Sequence, residues 1–280
     1  MNCLELFSNK KQLFTCYWGG YFKNDPKYPQ TLDMTPECVD IVILAFVGPQ
    51  QDSTIETTFL CSVYSEEKIK NWIDCCHEKG IKVYVSILDT PQTHWDKINL
   101  LTFAKSLKSL IDNWNLDGVD IDAESGMDPD NYIETFINLA KIVKAEIGTL
   151  PLTYTCYTGI DGPDGEILKN IKSILDYIQL MAYFDSFDGM VSLYNNYKQI
   201  MGDNIIIGVK AGEPDCTNLD EVEQLCIWNS NKKGIMLWTI NRDTPQYTNK
   251  ELYSWTNTIY DSLKLNVIIK IIKLVGNLIK

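Results

Sequence analysis

Short apolar runs rich in β-branched residues alternate along the chain with longer amphipathic segments. The apolar runs predict eight strands, at 12–18, 40–47, 81–88, 117–124, 151–157, 177–184, 204–210 and 234–240. The amphipathic segments between them predict helices that include 66–79, 97–114, 130–146, 188–201 and 218–231. Strands that alternate with helices form a parallel sheet, and eight such units in one chain form a closed barrel. The pattern therefore predicts an α/β fold, a single-domain (β/α)8 TIM barrel, with a doubly wound open sheet as the alternative.

The end of the chain has a different pattern. Residues 1–264 hold all the predicted barrel elements, whereas 265–280 predicts an amphipathic C-terminal tail helix. Its polar positions recur at steps of four and three, which is one helical stripe, and they are Asn266, Lys270, Lys273, Asn277 and Lys280. Because lysines recur through the tail, a membrane-spanning helix is disfavoured. We expect the tail to dock on the barrel, and association with a membrane surface is the less favoured alternative.

Three acidic residues occupy every second position near the end of the fourth predicted strand. In LDGVDIDAES, residues 116–125, Asp120, Asp122 and Glu124 alternate with apolar residues. Successive side chains of a strand point to opposite faces, so the three carboxyl groups share one face. Crowded carboxyl groups in a water-poor site do not all ionise, and a retained proton is what a general acid needs. Catalysis is the favoured interpretation, and a solvated strand face or an oxygen-lined cation site are the alternatives.

Composition and charge narrow the classes of partner and cofactor. The net charge of −12 argues against a nucleic-acid partner, and the 15 Tyr and 7 Trp suit sugar rings as well as ordinary packing. The nine Cys residues follow neither a disulfide framework nor a zinc-binding spacing, so we expect no metal site. The sequence has no glycine-rich nucleotide-binding loop, and we expect no cofactor.

The N-terminal residues lack the features of a secretory signal, which predicts a cytoplasmic protein, with unconventional export as the alternative. We expect a monomer.

These residues resemble glycoside hydrolase family 18, which contains chitinases and endo-β-N-acetylglucosaminidases. The family signature DGxDxDxE matches residues 117–124 at every fixed position. Three other segments are similar to strands of the family: LAFVG at 44–48 to the second, YIQLMAYFD at 177–185 to the sixth and GIMLWTINRD at 234–243 to the eighth. About two dozen residues separate the seventh and eighth predicted strands. The resemblance therefore implies a barrel without the insertion domain of some family chitinases, and an open groove with endo-type cleavage.

The resemblance implies substrate-assisted hydrolysis, in which the 2-acetamido group of the sugar is the nucleophile. Glu124 would act as general acid and then as base, Asp122 would accept the acetamido N–H, and Asp120 would share a proton with Asp122. Tyr183 would hold the acetamido oxygen. The implied substrate-binding residues are Trp238 as a hydrophobic floor, Tyr17 and Phe46 as walls, and Gln179, Met181 and Asp185 of the sixth strand. For the aromatic side chains among them, ordinary core packing is the alternative.

Two departures from the family pattern bear on substrate preference. Ser86 is followed by ILD at 87–89 in place of the family's Ser-x-Gly-Gly, and Phe184 stands where an Asp or Asn is expected, with Asp185 one position later. The sequence predicts a retaining endo-glycosidase that hydrolyses β-1,4 bonds of glycans containing N-acetylglucosamine, in the manner of a chitinase. The alternatives are an endo-β-N-acetylglucosaminidase acting on N-glycan cores and a non-hydrolytic, lectin-like protein that binds chitin or other glycans. Metal-assisted hydrolysis at the same acids is a further hypothesis.

Overall fold

Eight parallel strands close into a barrel in the computed structural model, which describes residues 12–89, 94–124, 129–214 and 216–278. The strands are β1 (Leu13–Gly19), β2 (Ile41–Pro49), β3 (Lys82–Asp89), β4 (Gly118–Ala123), β5 (Leu152–Cys156), β6 (Tyr177–Leu180), β7 (Ile205–Lys210) and β8 (Gly234–Trp238). Each strand pairs with the next along the chain, and β1 pairs with both β2 and β8, which closes the sheet. The predicted (β/α)8 barrel is confirmed, and the doubly wound open sheet is wrong.

Helices follow the strands around the barrel. They are α1 (Glu66–Glu78), α2 (Leu100–Trp114), α3 (Pro129–Ile147), α4 (Pro163–Ile171), α5 (Phe187–Met201), α6 (Leu219–Ile227), α7 (Pro245–Thr248) and α8 (Ser254–Leu278). The five predicted helices are confirmed as α1, α2, α3, α5 and α6. The amphipathic pattern does not predict α4, because this helix has only nine residues and its sequence, PDGEILKNI, begins like a turn. The prediction of a strand up to 184 is also wrong, because β6 gives way to a short 3-10 helix after Leu180.

The side chains of β4 show how the barrel separates its two faces. Val119, Ile121 and Ala123 belong to the large apolar cluster between the strands and the helices, together with Phe136 of α3. Asp120 contacts residues that project into the barrel instead. The alternation of apolar and acidic residues in the sequence is therefore the alternation of outer and inner faces.

The end of β2 is irregular, and the irregularity turns Phe46 toward the barrel mouth. The pairing of β2 with β3 is regular up to Leu44 and shifts register before Val47. Such a bulge re-aims the side chains that follow it. Phe46 consequently joins the inner cluster with Tyr17, whereas Leu44 lies in the outer cluster. Beyond the bulge, the strand pairs antiparallel with a two-residue strand, Ile55–Glu56, which extends the wall of the mouth beside Phe46.

The terminal helix α8 packs on α6 and continues through the predicted domain boundary between 264 and 265 without a break. Asn266 is buried, and its Nδ2 donates to the backbone oxygen of Cys226 on α6 at 2.8 Å. Leu265, Val267 and Ile268 are exposed. The polar stripe of the tail therefore begins on the side of α8 that packs on α6, where the side chain of Asn266 has a hydrogen-bond acceptor. The side chains of the lysines at 270, 273 and 280 lie outside the described residues.

The division of the chain into 1–264 and 265–280 stays a prediction, as does the docking of the whole tail. Within the described ranges, no helix has both the length and the apolar character that crossing a membrane requires.

Asp243 anchors the start of α8 from twelve residues away. Its side chain is fully buried and accepts hydrogen bonds from Trp255 N at 3.1 Å, Thr256 N at 2.7 Å and Thr256 Oγ1 at 2.8 Å. The first backbone N–H groups of a helix have no partner within the helix, so an acceptor from another segment stabilises it.

We expect Asp243→Ala to lower the free energy of unfolding by about 2–3 kcal/mol, because the substitution leaves buried donors at the helix start without an acceptor. Urea denaturation followed by circular dichroism measures the change. Asp74→Ala, at an exposed position in the middle of α1, is the matched control and should change stability by about 0.5 kcal/mol or less. Equal stability of the two variants would show that Asp243 does not anchor α8.

Candidate active site

The three acids of β4 follow one another toward the carboxyl end of the strand. Asp120 is fully buried, Asp122 is 2% exposed, and Glu124, the first residue after the strand, is exposed. Successive members of the row are about 7 Å apart at their Cα atoms by the rise of a strand. In barrels of this type, the loops at the carboxyl ends of the strands surround the functional site. The row therefore leads from the barrel interior to the mouth, where Glu124 meets solvent.

Asp120 is held by hydroxyl groups from its two neighbouring strands, β3 and β5, and from β1 across the barrel. Its Oδ2 accepts from Tyr17 Oη at 2.8 Å and from Ser86 Oγ at 2.7 Å. Its Oδ1 accepts from Thr153 Oγ1 at 2.6 Å, and Thr155 Oγ1 lies 3.2 Å from Oδ1 and 3.1 Å from Oδ2. Hydrogen bonds to a carboxylate offset the cost of removing it from water. These contacts fix Asp120 inside the barrel, directly below Asp122 on the same face of β4.

Tyr17 belongs to the same network and remains a donor at neutral pH. Burial raises the pKa of its hydroxyl, and the charges of Asp120 and Asp122 raise it further. Its Oη also lies 2.7 Å from Thr155 Oγ1 and 3.1 Å from Gln179 Nε2.

The proton sharing between Asp120 and Asp122 stays a prediction. In the described part of the chain, no three side chains of the His, Cys, Asp or Glu type converge as metal ligands.

The side chain of Tyr183 is a second phenol near the acid row, close to Asp122 and Glu124. It lies in the short 3-10 helix that follows β6 and is 7% exposed. Burial raises its pKa, and the nearby charges of Asp122 and Glu124 raise it further. A phenol in this setting is a neutral hydrogen-bond donor near Asp122 and Glu124.

An aromatic wall stands across the mouth from the acids. Trp238, the last residue of β8, stacks on Phe46 with ring centroids 5.8 Å apart and meets Tyr17 edge-on at 5.3 Å. Because β8 is four strands from β4 in either direction around the barrel, this wall faces the acid row. An apolar surface opposite a proton donor suits a sugar ring, whose C–H faces pack on aromatic rings while its oxygens meet polar groups.

A cavity of about 250 Å³ continues from this wall toward the loop after β2. Its lining includes Phe46 and Leu88 at the strand ends, and Glu56 and Phe59 from the segment after β2. The aromatic wall therefore continues past Phe46 as a cavity beside the ends of β2 and β3.

The sequence profile of the glycosyl hydrolases family 18 matches residues 14–258, which include nearly all of the barrel and the complete acid row. The chain belongs to this family. The resemblance of the fourth strand to the family signature is thereby confirmed, and the chain is a glycoside hydrolase.

Solved structures of chitinases and of an endo-β-N-acetylglucosaminidase share the fold of this hydrolase. A family 18 chitinase from Pseudoalteromonas aurantia is 18% identical with a TM-score of 0.71, and the match covers 90% of this chain and 100% of that one. A Group IV chitinase from Ostrinia furnacalis in complex with allosamidin is 15% identical with a TM-score of 0.71, covering 91% and 99%. An endo-β-N-acetylglucosaminidase from Cordyceps militaris is 20% identical with a TM-score of 0.65, covering 90% and 91%. At these identities the likeness shows the fold.

Three predicted substrate-binding residues of this family 18 hydrolase have other contacts. Gln179 is fully buried in the network around Asp120, with its Oε1 accepting from Thr15 Oγ1 at 2.9 Å. Met181 is buried in the inner apolar cluster. Asp185 is exposed, and its Oδ1 accepts from the backbone N–H of Ser186 at 2.7 Å at the start of α5. Their contacts with substrate stay predictions, and the position of Asp185 favours a role at the helix start.

Thr153, Thr155 and Ser86, whose hydroxyl groups hold Asp120 together with that of Tyr17, are not among the predicted site residues. Thr153 and Thr155 alternate with apolar residues in LTYTC, with the same period of two that marks the acids. Ser86 follows the same rule on β3, where its neighbours Val85 and Ile87 lie in the outer cluster. This alternation is the signal that could have found the three residues, since polar positions of a barrel strand that repeat every second residue face inward.

Proposed function

We propose that this hydrolase cleaves internal β-1,4 bonds of glycans containing N-acetylglucosamine, with retention at the anomeric carbon, by substrate-assisted catalysis. The observation that supports it best is the single row of acids on β4 opposite an aromatic wall. A retaining enzyme with its own nucleophile needs a second carboxylate across the scissile bond. Across the mouth from β4, however, β8 ends in Trp238. An acetamido group of the substrate supplies the nucleophile that this arrangement needs.

The first step closes a ring on the substrate. Glu124 protonates the glycosidic oxygen, the acetamido oxygen attacks the anomeric carbon, and the bond to the leaving sugar breaks as an oxazolinium ion forms. Asp122 accepts the acetamido N–H and stabilises the positive charge of the ring. Tyr183 donates to the acetamido oxygen and orients it for attack.

The second step opens the ring. Glu124, now a carboxylate, takes a proton from water, which attacks the anomeric carbon from the side that the leaving sugar has vacated. Two displacements at the same carbon restore the original configuration. The exposure of Glu124 supports this role because both the glycosidic oxygen and water must reach it, and the burial of Asp122 strengthens its interaction with the charged ring.

Product analysis on two substrates tests the proposal. We expect chitotetraose to give shorter oligosaccharides whose new reducing end is first the β-anomer, as read by proton NMR within the first minutes, at a rate that EDTA leaves unchanged. Release of glycans from a high-mannose glycoprotein would identify the chitobiose core of N-glycans as a substrate. The Glu124→Gln variant, prepared in the same way, controls for contaminating hydrolases. Binding of both substrates without turnover by the wild-type protein would contradict the proposal and favour a lectin-like protein.

A further inference from the structure

The last helix, α8, runs alongside α6 and then continues beyond it. Near the start of α8, Trp255 Nε1 donates to the backbone oxygen of Thr217, just before α6, at 2.7 Å. Further along, Asn266 Nδ2 donates to the backbone oxygen of Cys226, one residue before α6 ends. The two helices therefore run in the same direction, and residues 267–278 continue past the end of α6 for about 18 Å by the rise of a helix.

This part of α8 lies at the end of the barrel opposite the active site. The helix α6 follows β7 and precedes β8, so it runs from the carboxyl ends of the strands to their amino ends. Because α8 runs the same way, residues 267–278 extend away from the mouth of the barrel. A partner that binds them leaves Glu124 and Trp238 open to substrate.

The side of α8 that faces away from α6 becomes apolar at residue 265. Asn266, on the side toward α6, is buried, whereas Leu265, Val267 and Ile268 are 42%, 43% and 52% exposed. By the helical repeat, the polar positions 270, 273, 277 and 280 share the stripe of Asn266, and all other positions from 265 to 279 hold apolar residues or glycine. The apolar arc of the tail is therefore wider than its polar stripe, and its described side chains face solvent.

The length and pattern of the tail favour a position in the plane of a membrane surface. Exposed apolar surface of this extent marks a site of interaction. The extension of about 18 Å is shorter than the hydrocarbon core of a bilayer, roughly 30 Å, and lysines recur along it, so it does not cross one. A wide apolar arc with a narrow lysine-bearing stripe is typical of a helix that lies at the lipid surface, with the attached domain on its polar, aqueous side.

Charge distinguishes a membrane from a second copy of the tail as the partner. Residues 262–280 contain four Lys and no Asp or Glu, so the net charge of −12 divides into +4 for this segment and −16 for residues 1–261. Two such tails repel each other, and neither has acidic residues to pair with the lysines of the other. Anionic lipid headgroups attract a lysine-bearing helix instead.

The extension also separates these lysines from the acidic barrel. At physiological ionic strength, salt screens charges over a distance of about 8 Å. The end of α8 lies about twice that distance beyond the end of α6, by the rise of a helix. The negative charge of the barrel therefore opposes the approach of the tail to an anionic surface only weakly.

We propose that the tail binds the surface of membranes that contain anionic lipids, with its apolar arc in the lipid and its lysines near the headgroup phosphates. This site is separate from the active site and does not depend on the proposed function. It holds the hydrolase at a membrane by the end of the barrel opposite the mouth, so the cleft stays accessible to glycans.

Flotation of the full-length protein with vesicles tests the proposal. We expect binding to vesicles of phosphatidylcholine with about 30 mol% phosphatidylserine to be at least about tenfold tighter than binding to pure phosphatidylcholine. The double variant Leu265→Asn, Ile268→Asn should bind the anionic vesicles at least about tenfold more weakly. Its melting temperature should not change, because both wild-type side chains are about half exposed. Leu101→Asn on α2, where the leucine is 47% exposed, is the matched control and should bind like the wild type.

The lysines are tested by a second double variant. Lys270→Gln with Lys273→Gln should weaken binding to the anionic vesicles about tenfold and leave binding to pure phosphatidylcholine unchanged. Lys105→Gln with Lys172→Gln, at exposed positions on the barrel, removes the same charge and should not weaken binding. Equal binding of anionic vesicles by the wild type and the Lys270, Lys273 variant would overturn the role of the anionic lipid.

Two other results would overturn the proposal as a whole. One is that the full-length protein does not bind the anionic vesicles. In that case, a dimer in light scattering that Leu265→Asn, Ile268→Asn dissociates would identify a second copy as the partner. The other is equal binding of anionic vesicles by the wild type and the Leu265, Ile268 variant. Hydrolysis of chitotetraose reports separately on the proposed function, and we expect the four tail and control variants to hydrolyse it at the wild-type rate.

Discussion

Replacing Glu124 by Gln is expected to lower kcat on chitotetraose by about 10³-fold. The amide keeps the size of the side chain, but it can neither protonate the glycosidic oxygen nor take a proton from water. KM should change little, because Glu124 is exposed at the mouth and the aromatic groups of the cleft supply most of the contact with substrate. Steady-state rates from chromatography of the products give both constants.

The leaving group supplies an internal check on this prediction. From an aryl chitobioside with an acidic phenol, the phenolate leaves with little help from a proton donor. Glu124→Gln should therefore lower kcat less on that substrate than on chitotetraose. Glu166→Gln, the same chemical change at an exposed position on α4, is the control and should leave both rates unchanged. If Glu124→Gln hydrolyses chitotetraose at the wild-type rate, Glu124 is not the general acid.

Replacing Asp122 by Asn should lower kcat on chitotetraose by about 10²-fold, a loss comparable to that of a preorganised polar group in other active sites. Asn has the same shape, so the barrel is expected to fold normally. Its amide oxygen can still accept the acetamido N–H, but it lacks the negative charge that stabilises the oxazolinium ion. A loss in kcat with an unchanged melting temperature distinguishes this effect from a change in the fold.

Two comparisons make the Asp122 measurement specific. Asp188→Asn, at an exposed position on α5, should retain the wild-type rate. The affinity of Asp122→Asn for chitobiose should remain close to that of the wild type, because the charge is needed only as the ring forms. A kcat within about threefold of wild type would show that the charge of Asp122 does not act on the reaction.

The acid row illustrates how much of the site can be read from the sequence. The side chains of a strand alternate between two faces, so LDGVDIDAES alone places Asp120 and Asp122 on one face and their apolar neighbours on the other. The structure agrees, because Val119, Ile121 and Ala123 pack under the helices while Asp120 contacts the barrel interior. The same local rule fixes the eight strands to within a few residues at most of their ends.

What the sequence did not predict depends on contacts between distant segments. The hydroxyl groups of Tyr17, Ser86 and Thr153 meet Asp120 only because three separate strands close around it. The position of Phe46 depends on a register shift that cannot be seen in LAFVG, since it arises in the pairing of β2 with β3. The surroundings of Asp185 are also not visible in the sequence: β6 ends at Leu180, and the Asp185 carboxylate accepts from the backbone N–H of Ser186.

In the proposed mechanism, the substrate provides the nucleophile, and the acid row on β4 provides the proton and the negative charge that stabilises the intermediate. Aryl chitobiosides whose reacting acetamido group carries zero, one, two or three fluorine atoms test it most directly, because fluorine withdraws electrons from the attacking oxygen and leaves the rest of the sugar unchanged. We expect kcat/KM of the wild-type enzyme to fall steeply with each added fluorine. Equal kcat/KM values across the four substrates would contradict it and would require a nucleophile from the protein.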